Sequence, residues 1–146
     1  MTSARRHLAG LAIITALASP AAAQPAQTFE GAQQFLTVTG KSLKARMVFD
    51  NGEGVDFQIL DMQQSARQRC ATSYLLPGEA GRKAIIWRDV PQVRADGRYV
   101  IVRQLDANRE TYNMRIDYDV ESLAARAAFA MEFIRLACDP TAGTGF

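Results

Sequence analysis

The sequence predicts an α+β fold. It comprises an N-terminal helix, about six antiparallel strands forming a curved sheet or partly closed roll, and a buried C-terminal helix against which the strands pack. Three observations carry this. Between Leu43 and Tyr118 apolar and polar residues repeatedly alternate with period two, the pattern of half-buried strands. Turn signals at Asn51-Gly52, Pro77-Gly78, Asp96-Gly97 and Asp106-Ala107-Asn108-Arg109 break that alternation, so successive strands double back on one another. From Asp119 to Cys138 the apolar residues instead recur at helical spacing.

The chain opens with a segment that does not belong to the fold. Arg5 and Arg6 precede an apolar run from Leu8 to Leu17, and Ser19-Pro20-Ala21-Ala22-Ala23 follows. A positive start, a short apolar centre and an Ala-x-Ala site predict a secretory signal over residues 1–23, cleaved before Gln24. The alternative is a membrane anchor, but the apolar run is roughly half of the about 20 residues a helix needs to span a bilayer. The Ala-x-Ala style points to bacterial export, hence a periplasmic or secreted protein that does not span a membrane once the signal is removed.

Cleavage changes the charge balance. The full sequence has 17 Lys+Arg against 15 Asp+Glu, and losing Arg5 and Arg6 leaves the two equal. The one histidine, His7, leaves with the signal. A mature chain without imidazole excludes Ser-His-Asp and Cys-His nucleophilic sites, histidine general bases and the common zinc and copper sites. Residues 24–146 make a single domain, with a folded core over 28–138 and a tail over 139–146.

Taken in order, Thr28 caps a helix whose Phe29, Ala32, Phe35 and Leu36 share one side and which stops at Gly40. Leu43, Ala45, Met47 and Phe49 alternate with Lys44, Arg46 and Asp50; after the Asn51-Gly52 turn, Val55, Phe57 and Ile59 alternate with Asp56 and Gln58. Gln63 to Arg69 reads as either a loop or the overhang of a long strand. Cys70 to Leu76 reads as a third strand. Ala84-Ile85-Ile86-Trp87 is continuous enough to predict a strand covered on both sides. Asp89 to Ala95 reads as irregular. Arg98 to Leu105 is a strand, and on its return partner Tyr112, Met114, Ile116 and Tyr118 share a face opposite Asn113, Arg115 and Asp117.

Asp119 or Ser122 is expected to cap the last helix. There Leu123, Ala127, Ala130, Met131, Ile134 and Cys138 form a stripe that Phe129, Phe133 and Leu136 widen past half the circumference. Arg126 falls inside that arc and is expected to reach water or pair with an acid near the helix start.

The succession Ile86-Trp87-Arg88-Asp89-Val90, the Asp96-Gly97 turn, Tyr99-Val100-Ile101-Val102, a hairpin, and a strand feeding an amphipathic helix resembles the second half of pleckstrin-homology-like domains. Those are strongly bent antiparallel rolls with one open end plugged by a C-terminal helix. The resemblance covers about Lys83 to Cys138 and lies in pattern and order; the leading helix and the cysteine pair depart from it. The family binds phosphoinositides or peptides, but none of its binding motifs matches here, so the resemblance carries over no site residues.

Candidate chemistry is sparse. Cys70 and Cys138 are the only cysteines and, in an exported chain, form one structural disulfide. Ten basic residues lie between Arg67 and Arg115 against five acids. Arginine's planar fork suits carboxylate and phosphate, so Arg88, Arg103 and Arg115 are the candidate ligand-binding residues. Their alternative reading is as outward residues of exposed strands, where charge discourages edge pairing. Asp117, Asp119 and Glu121 crowd the last strand-to-helix junction, where acids suit a helix start as readily as acid–base work or calcium. Asp50-Asn51-Gly52-Glu53-Gly54 lacks the ligand spacing of a calcium loop. Trp87, Tyr99, Tyr112 and Tyr118 serve as core or as pocket lining. No catalytic residue, metal site or cofactor is predicted, and the zero net charge speaks against nucleic acid.

The expected function is a small exported, non-catalytic module that binds an envelope protein or an anionic ligand. The alternative is a histidine-free enzyme using carboxylates and arginines on an envelope polymer or phosphorylated substrate.

Overall fold

The computed structural model describes residues 27–141. The predicted signal over 1–23 and the end of the tail lie outside them.

Helix α1 (Phe29–Thr39) starts where expected: the Thr28 hydroxyl accepts the Gly31 N–H at 3.0 Å. It ends at Gly40, whose N–H donates to the Leu36 carbonyl at 2.7 Å. A side chain at Gly40 would lie 2.7 Å from Met62 Cβ, so the glycine lets the helix end press against the next layer.

Strands β1 (Leu43–Phe49) and β2 (Gly54–Ile59) form the predicted hairpin, with Gly52 at φ 84° in its turn. One residue later β3 (Asp61–Gln64) begins, so the ambiguous stretch is a strand as far as Gln64 and a loop beyond. Leu60 is the corner between the two strands. Its N–H donates to the Leu75 carbonyl and its own carbonyl accepts from Ser42, which joins one sheet to the other. Strand β4 (Ala71–Leu75) and β5 (Arg82–Ile86) complete a three-stranded sheet in the order β3-β4-β5.

A 3-10 turn, Trp87–Asp89, leads into β6 (Gln92–Asp96), which corrects the expectation of an irregular segment. Its polarity hid it: Gln92, Arg94, Ala95 and Asp96 are exposed and Val93 alone is half-buried, as suits an edge strand. Strands β7 (Tyr99–Leu105) and β8 (Thr111–Asp117) follow, giving a five-stranded sheet in the order β2-β1-β8-β7-β6. There are thus eight strands rather than about six, although β2 and β3 together trace one chain bent at Leu60. The run at Ala84–Trp87 is also less enclosed than expected. Ile85 and Trp87 are fully buried while Ala84 is exposed.

Helix α2 (Glu121–Ala137) packs on β6, β7, the 3-10 turn and α1. Ala124, Ala127, Ala130, Met131 and Ile134 enter the core beside Val100, Val102, Met114 and Ile116. Phe129 and Leu136 do not; they are 58% and 49% exposed, so the buried arc is narrower than the sequence implied. The stripe of alanines is what lets the helix approach closely, and it leaves the larger flanking side chains outside. Arg126 is exposed, pairs with no acid among the described residues, and lies over the Phe35 ring of α1, 5.0 Å from its centroid.

The expected side-chain cap is also absent. Val120 is the N-cap; Asp119, at φ 61°, turns the chain, and its N–H goes to the Asp117 carboxylate at 2.9 Å. The Cys70–Cys138 disulfide, Cα–Cα 5.6 Å, ties the end of α2 to the start of β4. Beneath it a buried relay links three elements: Trp87 Nε1–H donates to the Thr72 hydroxyl, which donates to Gln33 Oε1 of α1.

Candidate functional site

The candidate site is the outer face of the five-stranded sheet. Alternation fixes which residues reach it, and register decides which of them meet. On β1, Lys44 and Arg46 point outward; on β8, Asn113 and Arg115; on β7, Tyr99, Ile101 and Arg103; on β6, Arg94. Arg46 stands directly opposite Arg115, which stands opposite Ile101, which stands opposite Arg94. One step along, Val48, Asn113 and Arg103 align. Strands lie about 4.8 Å apart, so four arginines form a staggered band across four strands.

Three carboxylates share the face, and each is held by an arginine of the chain itself. Arg46 binds Asp56 at 2.7 Å, Arg98 binds Asp117 at 2.6 Å, and Arg94 approaches Asp96 at 3.4 Å. Asp117 is the one buried acid of the three, and two donors, the Asp119 N–H and Arg98, converge on it. Arg98 in turn is held more firmly protonated than usual, by its hydrogen bond to Tyr99 first and by Asp117 second. Six cations (Lys44, Arg46, Arg94, Arg98, Arg103, Arg115) therefore face three acids, and among the described residues Lys44, Arg103 and Arg115 have no carboxylate partner. Arg103 donates to the Thr111 hydroxyl at 3.4 Å. The Arg115 guanidinium lies 3.6 Å from the centroid of the Tyr99 ring, with Arg98 5.2 Å from the same ring. A small cleft of about 210 Å³ opens here, lined by Lys44, Arg46, Asp56, Tyr99, Arg115 and Asp117.

Of the three arginines singled out from the sequence, the structure brings Arg103 and Arg115 onto one face and puts Arg88 elsewhere. Arg88 sits on the 3-10 turn, 3.9 Å from Asp89, and lines a depression with Arg135 and Asp139 at the far end of α2. Lys44 and Arg46 are the residues sequence reasoning missed. Alternation already turned them outward, but β1 and β8 are far apart in the chain, and no local pattern announces their pairing.

A larger depression lies elsewhere. About 770 Å³ in volume, it lies between the β1–β2 and β7–β8 turns, with Met47, Phe49 and Tyr112 on its floor. Asp106 holds its own loop, accepting the Asn108 and Glu110 N–H groups at 2.8 Å each, while Asp50 ties the β1–β2 turn to β8 by accepting the Thr111 hydroxyl at 2.6 Å. Among the described residues no group of three or more His, Cys, Asp or Glu side chains converges as a metal site would require. Of the four aromatics, Trp87 and Tyr118 are core, Tyr112 floors this depression, and Tyr99 belongs to the arginine face.

No protein-family model and no curated protein matches the chain. Its fold does have a solved counterpart, described as a "PH domain from TgAPH". The TM-score is 0.50 with 5% sequence identity, covering 73% of this chain and 90% of that one. The chain is thus a pleckstrin-homology-like roll, and at this identity the likeness extends to the fold alone. No helix among the described residues is long and apolar enough to cross a membrane.

Proposed function

We propose that the chain is a small exported, non-catalytic binding module of the bacterial envelope, docking an anionic partner on the outer face of its five-stranded sheet. The observation that carries this reading is the charge on that face that, among the described residues, has no carboxylate partner, at Lys44, Arg103 and Arg115. Arginine beside tyrosine, with half-buried Val48 and Ile101 among the charges, is the composition of a docking surface. The pleckstrin-homology-like roll, typically a binding fold, supports a module over an enzyme. So does the engagement of Asp56, Asp96 and Asp117 with arginines of the chain itself, which occupies these carboxylates in ion pairs. The signal pattern of residues 1–23 and the disulfide support an exported location.

The test is cross-linked capture from the native envelope, comparing the wild-type chain with the Arg103→Glu/Arg115→Glu variant. The expected result is one stoichiometric partner, released by salt and lost in the variant. Capture of the same material by both chains, or of nothing by either, overturns the reading.

A further inference from the structure

The arginines of the outer face are not equivalent. Arg46, Arg94 and Arg98 each hold a carboxylate of their own chain, so the face already shows what its guanidinium groups take. Arg115 is built differently. It stands directly opposite Arg46 across the β1–β8 pair, a like-charge position that costs stability. Its guanidinium carbon lies over the Tyr99 ring, 3.6 Å from the centroid, and its N–H groups have no hydrogen-bond acceptor among the described residues. Lys44, also without a carboxylate partner, lines the same cleft of about 210 Å³.

We propose that Lys44 and Arg115, with Tyr99 as the platform, seat a carboxylate from an acidic polypeptide partner. This deepens the reading above and rests on it. A carboxylate here completes the pattern its neighbours follow, accepts the guanidinium edge in the two-pronged geometry arginine favours, and relieves the repulsion between Arg46 and Arg115. A polypeptide is favoured over a purely ionic polymer by Val48 and Ile101. Both are half-buried; Ile101 stands directly opposite Arg115 and Val48 lies two residues along β1 from Arg46, so they offer apolar contact beside the charge.

The test measures binding of the mature chain to poly-glutamate and to polyphosphate at equal charge concentration and low salt. The variants are Arg115→Ala, Lys44→Gln and Arg88→Ala. The last removes the same charge from outside the face. Poly-glutamate should bind saturably, weaken about tenfold in Arg115→Ala and Lys44→Gln, and change less than about twofold in Arg88→Ala. Equal losses in all three variants mean that binding follows total charge, and overturn the seat. Retention of polyphosphate without poly-glutamate overturns the carboxylate assignment. Failure of both polymers also sinks the seat, while the broader docking face falls only if envelope capture is unaffected by the double charge reversal. Circular dichroism of each variant confirms that a loss is not unfolding.

Discussion

The two faces of the five-stranded sheet are made from the same strands and obey different rules. On β8, Met114 and Ile116 point inward and are fully buried in the core, while Asn113 and Arg115, alternating with them, point outward. The inner face is decided by volume and apolar area, quantities that each residue carries by itself. The outer face is decided by which charges become neighbours, and that depends on pairings between strands distant in sequence. Changes on the inner side should therefore register as stability and changes on the outer side as binding.

The largest effect expected on the inner side comes from the disulfide. Replacing Cys70 and Cys138 together by serine opens a bridge between residues 68 apart in sequence. The chain-entropy relation puts the loss at about 4 kcal/mol. Urea denaturation of wild type and variant gives the difference. Polyanion binding measured well below the unfolding midpoint should stay unchanged. A folded variant that no longer binds would show that the two faces are not separable.

Next is Ile116→Ala. The side chain is fully buried in the core, opposite Val100 on β7, so its truncation leaves a cavity and costs about 3 kcal/mol. A loss under about 1 kcal/mol by the same denaturation measurement would mean that the inner face repacks freely, and would weaken the contrast between faces.

What the sequence disclosed follows the same division. Strands with one apolar face, such as β1, β2, β7 and β8, were legible because their alternation is a local signal. So was α1, whose cap and stop both lie within the chain segment they act on. Strand β6 was not, since an edge strand with one half-buried residue carries no alternation. The α2 arc was overread because Phe129 and Leu136 look like core residues, whereas alanines set the contact. For the site, Arg103 and Arg115 were within reach as outward arginines of recognisable strands. Grouping them with Lys44 and Arg46 required the β1–β8 register, and separating them from Arg88 required knowing that Arg88 leaves the sheet on a 3-10 turn.

The inner tyrosines give a third, smaller test. Burial pushes the Tyr74 phenol up to about 12, with Tyr112 and Glu79 adding to it, and burial raises Tyr118 and Tyr112 as well. A phenol raised in the folded state keeps its proton while the unfolded chain begins to release it near pH 10. The stabilisation is complete below pH 10 and is lost as pH rises towards 12. Stability should thus decline across that window, and Tyr74→Phe should flatten the decline by about 1–2 kcal/mol. An unchanged slope in Tyr74→Phe would mean that Tyr74 titrates as an exposed phenol does.

The smallest stability effect is expected one residue from Ile116. Arg115→Ala removes a stacking contact with Tyr99, of order 0.5–1 kcal/mol at an exposed site. It also removes the like-charge opposition to Arg46, whose relief is of similar size and opposite sign. The two should nearly cancel, leaving a change within about 0.5 kcal/mol by denaturation. Adjacent residues on one strand then differ severalfold in their effect on stability. Their effects on poly-glutamate binding should run the other way, with Arg115→Ala weakening it and folded Ile116→Ala leaving it intact. A loss above about 1 kcal/mol in Arg115→Ala would make its stacked guanidinium a structural brace. The outer face would then need Lys44 and Arg103 alone to account for any binding.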